Sequence, residues 1–430
     1  MTKGRIRVAM IEPHGNGGIS HYTYELSNAL QQNGVDVTVF TSERYELGNQ
    51  PRLFSYAAIG SSQIKRWLVA AFRGSNPNVE TESAVNETAK TTEAQSDPDK
   101  TTRTRNRRAW TSIKRTLLQI EVFLWIAFSR ISVIHLQWPW PDDRPNLFLS
   151  LCRSAGKKTV YTAHNLLPHD DGRVETRIRM ETFYSLFDRL IVHSADNFRE
   201  CCSLFSIKPE TIVTIPHGNY GFFLEEREPS TEDYRANYGF SRSDFVLLFF
   251  GSIRKYKGLD VLLESFEIAH LTQRNLRLLI VGELEPYDGK DRAYFESWIT
   301  DRNLLSEVVF QEGYVPMSEV ANVFDACDVV VLPYLKTYQS GVVHLAYSSK
   351  KPVIATKTGG LQDVVQNGVS GVLVEPGDSR LLAEAVVEFS KETRQAAEMG
   401  RRAYELSLTD FSWSSIAKST RVVYESLLAN

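Results

Sequence analysis

Three cations crowd one eight-residue stretch, Gly251-Ser252-Ile-Arg254-Lys255-Tyr-Lys257-Gly258, directly after the apolar run Phe245–Phe250. A diphosphate there would meet a guanidinium able to hold two oxygens at once, from Arg254, and a compact point charge, from Lys257. A solvated basic loop is the alternative. A second stretch, Thr337-Tyr-Gln339-Ser340-Gly341, leads into a helix-like run. Ser340 and Gly341 would place amides at a helix N-terminus, which also suits phosphate. A third, Gly15-Asn-Gly17-Gly18, joins a strand to a helix. Its spacing is not Gly-x-Gly-x-x-Gly, so the dinucleotide fingerprint is absent, and tight strand–helix packing is the competing reading. The fourth is Thr162-Ala-His164-Asn165-Leu-Leu-Pro-His169. Two histidines in one loop suit acid–base work or ligand contact. No neighbouring Cys or acid completes a metal set, so no metal is expected, and His164 with Asn165 would reach sugar hydroxyls instead. An ordinary core or surface histidine is the alternative for His164, and more strongly for His135, His193 and His344.

The elements around these stretches repeat one grammar. Arg5–Glu12 is a short apolar strand; after the glycine turn comes a helix with Ile19, Tyr22, Leu26 and Leu30 on one face, then the strand Gly34–Phe40. The pattern restarts at Phe245, with a helix over Gly258–Ala269 and a strand over Leu276–Val281. Further strands are predicted at Val133–Gln137, Lys158–Thr162, Arg189–His193, Thr211–Pro216, Val308–Gln311, Val329–Leu332, Pro352–Ala355 and Gly371–Val374. Alternating strands and helices predict an α/β protein of two doubly wound domains with parallel sheets, whose ligands lie at the carboxyl ends of the strands. Leu224–Ser243 is charged and reads as a linker region; Phe411–Leu428 reads as a final amphipathic helix. The expected division is 1–222 and 223–410, with the helix of 411–430 packing back onto the first domain.

Composition narrows the classes. The 430 residues carry 49 Lys plus Arg against 52 Asp plus Glu, which argues against a uniformly basic nucleic-acid binder, so no nucleic-acid partner is expected. Cys152, Cys201, Cys202 and Cys327 make neither a disulfide framework nor a spaced zinc site, and they fit a reducing compartment. The start of the chain has no long apolar signal-peptide stretch. The most apolar window, Leu117–Phe128, carries Glu121 and is too short to span a bilayer. These features give a cytoplasmic expectation. Ser75–Asn106 lacks aromatics, Leu and Ile and reads as a disordered insertion. Lys100–Arg115 holds seven basic residues and no acid, with Trp110 inside it. Together with the apolar residues to 128 it reads either as a surface for anionic lipid on the inner membrane face or as a solvated stretch beside a core helix.

Taken in order, the motifs carry a resemblance. They are Gly17-Gly18-Ile-Ser-His-Tyr22, Thr162-Ala-His164-Asn165, Val192-His-Ser194, Ile215-Pro-His217-Gly218, Phe250-Gly251 through Gly258-Leu-Asp260, Ile280-Val-Gly282-Glu283, Gly313-Tyr314-Val315, Ala326-Cys-Asp328, Ser340-Gly341, Pro352-Val-Ile-Ala355, Gly359-Gly360 and Asn367-Gly368. The sequence resembles the retaining nucleotide-sugar glycosyltransferases of the GT-B architecture, glycosyltransferase family 4, over nearly the whole chain outside Ser75–Asn106.

The resemblance implies transfer of a hexosyl unit from a nucleoside diphosphate sugar to a glycan or polyprenyl-linked acceptor in cell-surface polysaccharide or glycolipid synthesis. The sugar nucleotide is a co-substrate and no other cofactor is implied. His164, Arg254 and Lys257 would be catalytic. Gly17, Gly18, Gly251, Ser252, Gly282, Tyr314, Val315, Gln339, Ser340 and Gly341 would help hold the nucleotide, and Tyr22, Asn165 and His169 would face the acceptor or sugar. The sequence departs from the family at Thr337 and Leu345, where many members carry glutamates, and Gln339 is the nearest polar substitute. Ser252 stands where many members place an arginine, with Arg254 displaced from it. These departures leave a non-catalytic sugar-nucleotide-binding protein, or an epimerase on the same fold, as alternatives.

Overall fold

The computed structural model describes residues 5–59, 119–139, 145–168, 173–225 and 234–429. The insertion Ser75–Asn106, the basic stretch Lys100–Arg115 and His169 lie outside these residues.

Two sheets organise the described chain. The first holds β1 (Arg7–Ile11), β2 (Asp36–Thr41), β3 (Ser55–Ala58), β4 (Val133–Leu136), β5 (Lys158–Thr162), β6 (Arg189–Val192) and β7 (Ile212–Thr214), in the order β3-β2-β1-β4-β5-β6-β7. The second holds β8 (Phe245–Phe250), β9 (Leu276–Gly282), β10 (Val308–Glu312), β11 (Val329–Leu332), β12 (Val353–Thr356) and β13 (Gly371–Val374), in the order β10-β9-β8-β11-β12-β13. Pairing around the central strands is parallel, with Val8 beside Val37 and Val133, and Leu247 beside Leu278 and Val329. This is the α/β architecture of two Rossmann-like sheets expected from the motif grammar. The strand order reverses beside β1 and beside β8, so the loops after these strands open at the crevice where such sheets take ligands.

The reason for the central strands is burial on both faces. In β8, Phe245 to Phe249 are all buried, which a strand covered by helices on each side requires. Phe245, Leu247 and Phe249 pack with the helix Leu259–His270, while Val246 and Leu248 pack on the opposite side with Phe324 and Tyr347.

The chain gathers into two compact units. One comprises Met1–Thr162, Thr182–Arg189 and Arg421–Asn430; the other comprises Ala163–Glu181 and Leu190–Thr420. The final helix, Trp413–Ala429, contributes to both. In the second unit, Trp413 donates its indole N–H to the Asn219 carbonyl at 2.9 Å. In the first, Tyr424 and His135 are both fully buried, and the Tyr424 hydroxyl lies 2.6 Å from His135 Nδ1. His135 Nε2 lies 2.7 Å from Thr162 Oγ1. Burial pushes the His135 imidazole down to about 3, so it is neutral at physiological pH. Tyr424→Phe should therefore strand a buried ring nitrogen and cost about 1–3 kcal/mol, read as a lower urea midpoint at unchanged slope. An unchanged midpoint would contradict it.

Two sequence expectations need correction. The edge strand Ser55–Ala58 was not expected, because Ser-Tyr-Ala-Ala has little strand propensity of its own and forms by pairing with β2. The described part of Leu224–Ser243 is not a bare linker. Tyr234–Tyr238 is a 3-10 turn, and Arg235 fixes it by donating to Asp328 at 2.6 Å and to the Asp244 carbonyl at 3.0 Å. Residues 119–128 are helical and bury Val122 and Ile126, with Phe128 exposed.

Candidate functional site

The loop after β8 places its cations unequally. Gly251 begins it at φ 94°, and a 3-10 turn over Lys255–Lys257 ends at Gly258 with φ 69°. Lys255 pairs with Asp288 at 2.6 Å. Arg254 donates through Nε to Glu285 Oε1 at 2.7 Å and also reaches that oxygen through Nη2. Ser252 Oγ donates to the same oxygen at 3.2 Å. The two groups assigned to a diphosphate are thus gathered on one carboxylate, in an exposed pair of the kind that contributes little to stability.

Lys257 differs. It is 7% exposed, and among the described residues it makes no ion pair. Its Nζ lies 5.6 Å from the Tyr334 ring centroid. Burial first, and the nearby Arg254 second, push its amine down to about 8, with Glu285 opposing. A buried ammonium without a counter-ion is costly, and an arriving anion would relieve that cost.

Other loops converge on the same point. A Cβ on Gly251 would stand 3.2 Å from Lys257 Nζ and 3.7 Å from Val342 Cγ2, so Gly251 lies between the buried amine and the first turn of the helix Gly341–Ser348. Gly282 approaches so closely that a Cβ there would fall 2.0 Å from the Gly251 carbonyl oxygen. Its own carbonyl accepts the Gly313 N–H at 3.1 Å. The Thr337–Gly341 stretch is pinned by the turn at Gly359–Gly360. The Gly360 N–H donates to the Tyr338 carbonyl at 3.0 Å, and Thr337 Oγ1 donates to the Gln339 carbonyl at 2.7 Å. Ser340 holds the N-cap position without a side-chain capping bond, and its Oγ lies 3.3 Å from the Tyr334 hydroxyl instead.

Four buried histidines pack ring against ring beside this stretch in the second unit, with only the His217–His344 pair stacked, at 21°. Ring centroids are 5.0 Å apart for His164–His193, 5.3 Å for His193–His217 and 5.1 Å for His217–His344. His193 Nδ1 lies 3.0 Å from the Ile215 carbonyl, and its Nε2 lies 3.2 Å from His164 Nδ1. Gln339 Nε2 approaches His164 Nδ1 at 3.4 Å. Burial holds His193 at about 4 and His344 at about 3, and it drives His217 well below the usual imidazole range with help from its neighbours.

The first unit has its own glycine loop. Glu12, 1% exposed at the end of β1, accepts the His14 and Gly15 N–H groups at 2.9 and 2.7 Å. Burial raises its carboxyl pKa. The Gly17 N–H, at the start of the helix Gly17–Gln32, donates to Glu46 Oε2 at 3.0 Å, and His21 Nε2 lies 3.5 Å from the same oxygen. The amide offered to a phosphate by the sequence is held by a carboxylate of the chain itself.

Comparison with known proteins gives this geometry its setting. A family model described as Glycosyl transferases group 1 matches residues 230–406, and one described as Glycosyltransferase Family 4 matches residues 16–218. The chain belongs to the GT-B glycosyltransferases. A D-inositol 3-phosphate glycosyltransferase of Catenulispora acidiphila is 28% identical over 65% of this chain and 69% of its own length. A GDP-mannose:glycolipid 4-beta-D-mannosyltransferase of Xanthomonas campestris is 30% identical over 53% of this chain and 62% of its own. The chain thus spans about two thirds of the length of these curated relatives. In fold, this glycosyltransferase is similar to Anabaena HepE in complex with UDP and glucose, with TM-score 0.68 at 16% identity over 98% of this chain and 100% of that one. A sucrose-phosphate synthase from Thermosynechococcus elongatus gives 0.67 at 20% identity, covering 99% and 100%.

Within the glycosyltransferase, the structure gathers Gly251, Lys257, Gly282 and Gly341 around one point, and it sets His164 against Gln339. Asn165 is half-buried beside His164, Val315 is 9% exposed, and Tyr314 is 71% exposed. Gly17, Gly18 and Tyr22 belong to the first unit, where Tyr22 is 1% exposed and packed in the core. Sequence reasoning missed Glu285, Glu46 and Glu12, and it set His193 and His344 aside as ordinary histidines. Only Glu12, an acid closing a buried apolar strand, carried a local signal.

Proposed function

We propose that this glycosyltransferase moves a hexosyl unit from a nucleoside diphosphate sugar to a glycan or lipid-linked acceptor, with retention of configuration and without a metal on the diphosphate. The observation that carries the proposal is Lys257, a buried ammonium without an ion pair among the described residues, set beside Gly251 and the start of the Gly341–Ser348 helix.

As the bond from the sugar to the diphosphate breaks, negative charge grows on the leaving phosphate. Lys257 is preorganised to meet it, and the amides at Ser340 and Gly341 add donors at the positive end of a helix. Arg254 joins by sharing or exchanging Glu285. The family's two glutamates are replaced by the buried Thr337 and Leu345, so polar contact with the sugar falls to His164 and Gln339. The similarity to a glycolipid mannosyltransferase supports an acceptor of the glycan or lipid class.

Purified protein incubated with a panel of nucleotide sugars, with and without EDTA, should release free sugar and nucleoside diphosphate by mass spectrometry at equal rates in both arms. Binding of a nucleoside diphosphate with no turnover of any donor would favour the non-catalytic reading. Loss with EDTA and rescue by magnesium or manganese would overturn metal independence.

Among the described residues no helix is long and apolar enough to cross a membrane. We propose a cytoplasmic enzyme that touches the inner membrane face through the basic residues of 100–128. Co-flotation with anionic vesicles at low salt, lost as salt screens charges beyond about 8 Å, tests this, and no flotation at low salt would refute it.

A further inference from the structure

We propose that Tyr334 is a positioning residue: its hydroxyl holds the Ser340 side chain away from the helix that follows, so that the first amides of Gly341–Ser348 stay open to a phosphate oxygen. The proposal rests on the reading of this corner as the diphosphate site.

A helix leaves its first four N–H groups without partners inside it, and a serine at the N-cap ordinarily turns its oxygen back to accept one of them. This chain does so elsewhere. Ser194, in extended backbone ahead of the helix Ala195–Leu204, accepts the Asn197 N–H at 3.0 Å. Asp291 and Asp378 do the same for the helices they open. Ser340 stands at the same position, also in extended backbone, and makes no such bond. Its Oγ lies instead 3.3 Å from the Tyr334 hydroxyl, where either group can donate. One oxygen cannot lie in both places, so the hold of the phenol leaves the first turn uncapped. Gly341 and Val342 are partly exposed, which lets a ligand reach these amides.

The phenol is fixed for this task. Its backbone carbonyl accepts Thr356 Oγ1 at 2.6 Å, and its ring meets the Tyr256 ring edge-on at 6.2 Å and 81°. Burial raises the pKa of its hydroxyl, which keeps its proton. A second, independent feature faces the same turn. Lys257 Nζ lies 5.6 Å from the Tyr334 ring centroid, and the acids of the neighbouring loop are engaged by other groups: Glu285 by Arg254 and Ser252, Asp288 by Lys255. A ring face attracts an ammonium without neutralising it. Gly251 stands between that ammonium and Val342 of the first turn. One tyrosine therefore touches both the cation and the residue ahead of the open amides, and it cancels neither. A diphosphate meets both.

Amide exchange in the full chain is the first test. In the parent, the Val342 and Val343 amides should exchange far faster than the interior of their helix. Tyr334→Phe keeps the ring and its packing and releases Ser340 to cap, so at least one of the two amides should become protected without any ligand. Calorimetry with UDP, GDP and inorganic pyrophosphate is the second test. The probe that binds the parent best should lose about fivefold in affinity in Tyr334→Phe, the size of one hydrogen bond, because the serine now competes for the amide. The double variant Tyr334→Phe with Ser340→Ala has no hydroxyl to cap with, and it should regain most of that loss. A merely structural role for Tyr334 would leave the double variant no better than the single one. First-turn amides already protected in the parent overturn the proposal whatever the variants do, as does unchanged affinity in a folded Tyr334→Phe, or a double variant that fails to recover. A parent that binds none of the three probes, while its amides respond to Tyr334→Phe as expected, sinks the diphosphate reading alone, so the two failures are distinguishable.

Discussion

Lys257→Met should lower kcat/KM for sugar release by about a hundredfold, near 3 kcal/mol of transition-state stabilisation, while leaving the fold intact. Methionine fills the space of the buried stem and removes only the charge, so a lost cavity cannot account for the effect. The loss should fall mainly on kcat if the ammonium acts on charge that develops as the sugar departs. Arg254→Lys should cost less, because Arg254 is already held by Glu285 and is partly exposed. The pH dependence follows from the same amine. Its pKa in the folded protein is about 8 against the usual 10.5, so kcat/KM should decline as pH rises through 8 and the cation is lost. Stability should move the other way. Between these two values the unfolded chain binds more protons, so this group makes the fold more stable as pH rises from about 8 toward 10.5. Near-parental activity of Lys257→Met, or a flat profile above pH 8, would remove Lys257 from the phosphate site.

Gly359→Ala should be the most damaging small substitution near the site. Gly359 sits at φ 48°, in the left-handed region, and a Cβ there would fall 1.6 Å from the Thr337 carbonyl oxygen. That atom is backbone, and it belongs to the stretch that carries Gln339 and Ser340, so nothing flexible can give way. A loss of about 3 kcal/mol of stability is expected from strain and collision together, seen as a lower urea midpoint. Whatever fraction folds should show weakened donor turnover, because relief of the clash displaces the loop facing His164. A midpoint within error of the parent would mean that this turn is not held as described.

The legible parts of the molecule are those with local causes. Phe245–Phe250 is an unbroken apolar run, so β8 and the loop after it can be read directly from the sequence. Ser55–Ala58 exists because a neighbour pairs with it, and nothing in its four residues announces this. The site divides the same way. The glycine and cation spacing of Gly251–Gly258 is a local pattern. The carboxylates that engage it and its counterpart are not: Glu285 meets Arg254 across 31 residues, and Glu46 meets Gly17 across 29. Sequence chemistry named the donors as a local pattern and could not see that the chain itself supplies them an acceptor. The four contacting histidines come from four separate segments, and each alone looks like a solitary core residue.

The hydrogen bond between His135 and Tyr424 has a temporal meaning. Its two ends are 289 residues apart. At about 5–20 residues per second, a ribosome delivers Tyr424 roughly a quarter of a minute to a minute after His135. Until then the first sheet has its strands but lacks the phenol that satisfies its central imidazole. The nascent first unit therefore waits, incompletely closed, while the whole of the second is synthesised. A fragment carrying only the early strands would keep that buried nitrogen unsatisfied indefinitely. Supplying residues 413–429 as a separate peptide should let such a fragment complete itself.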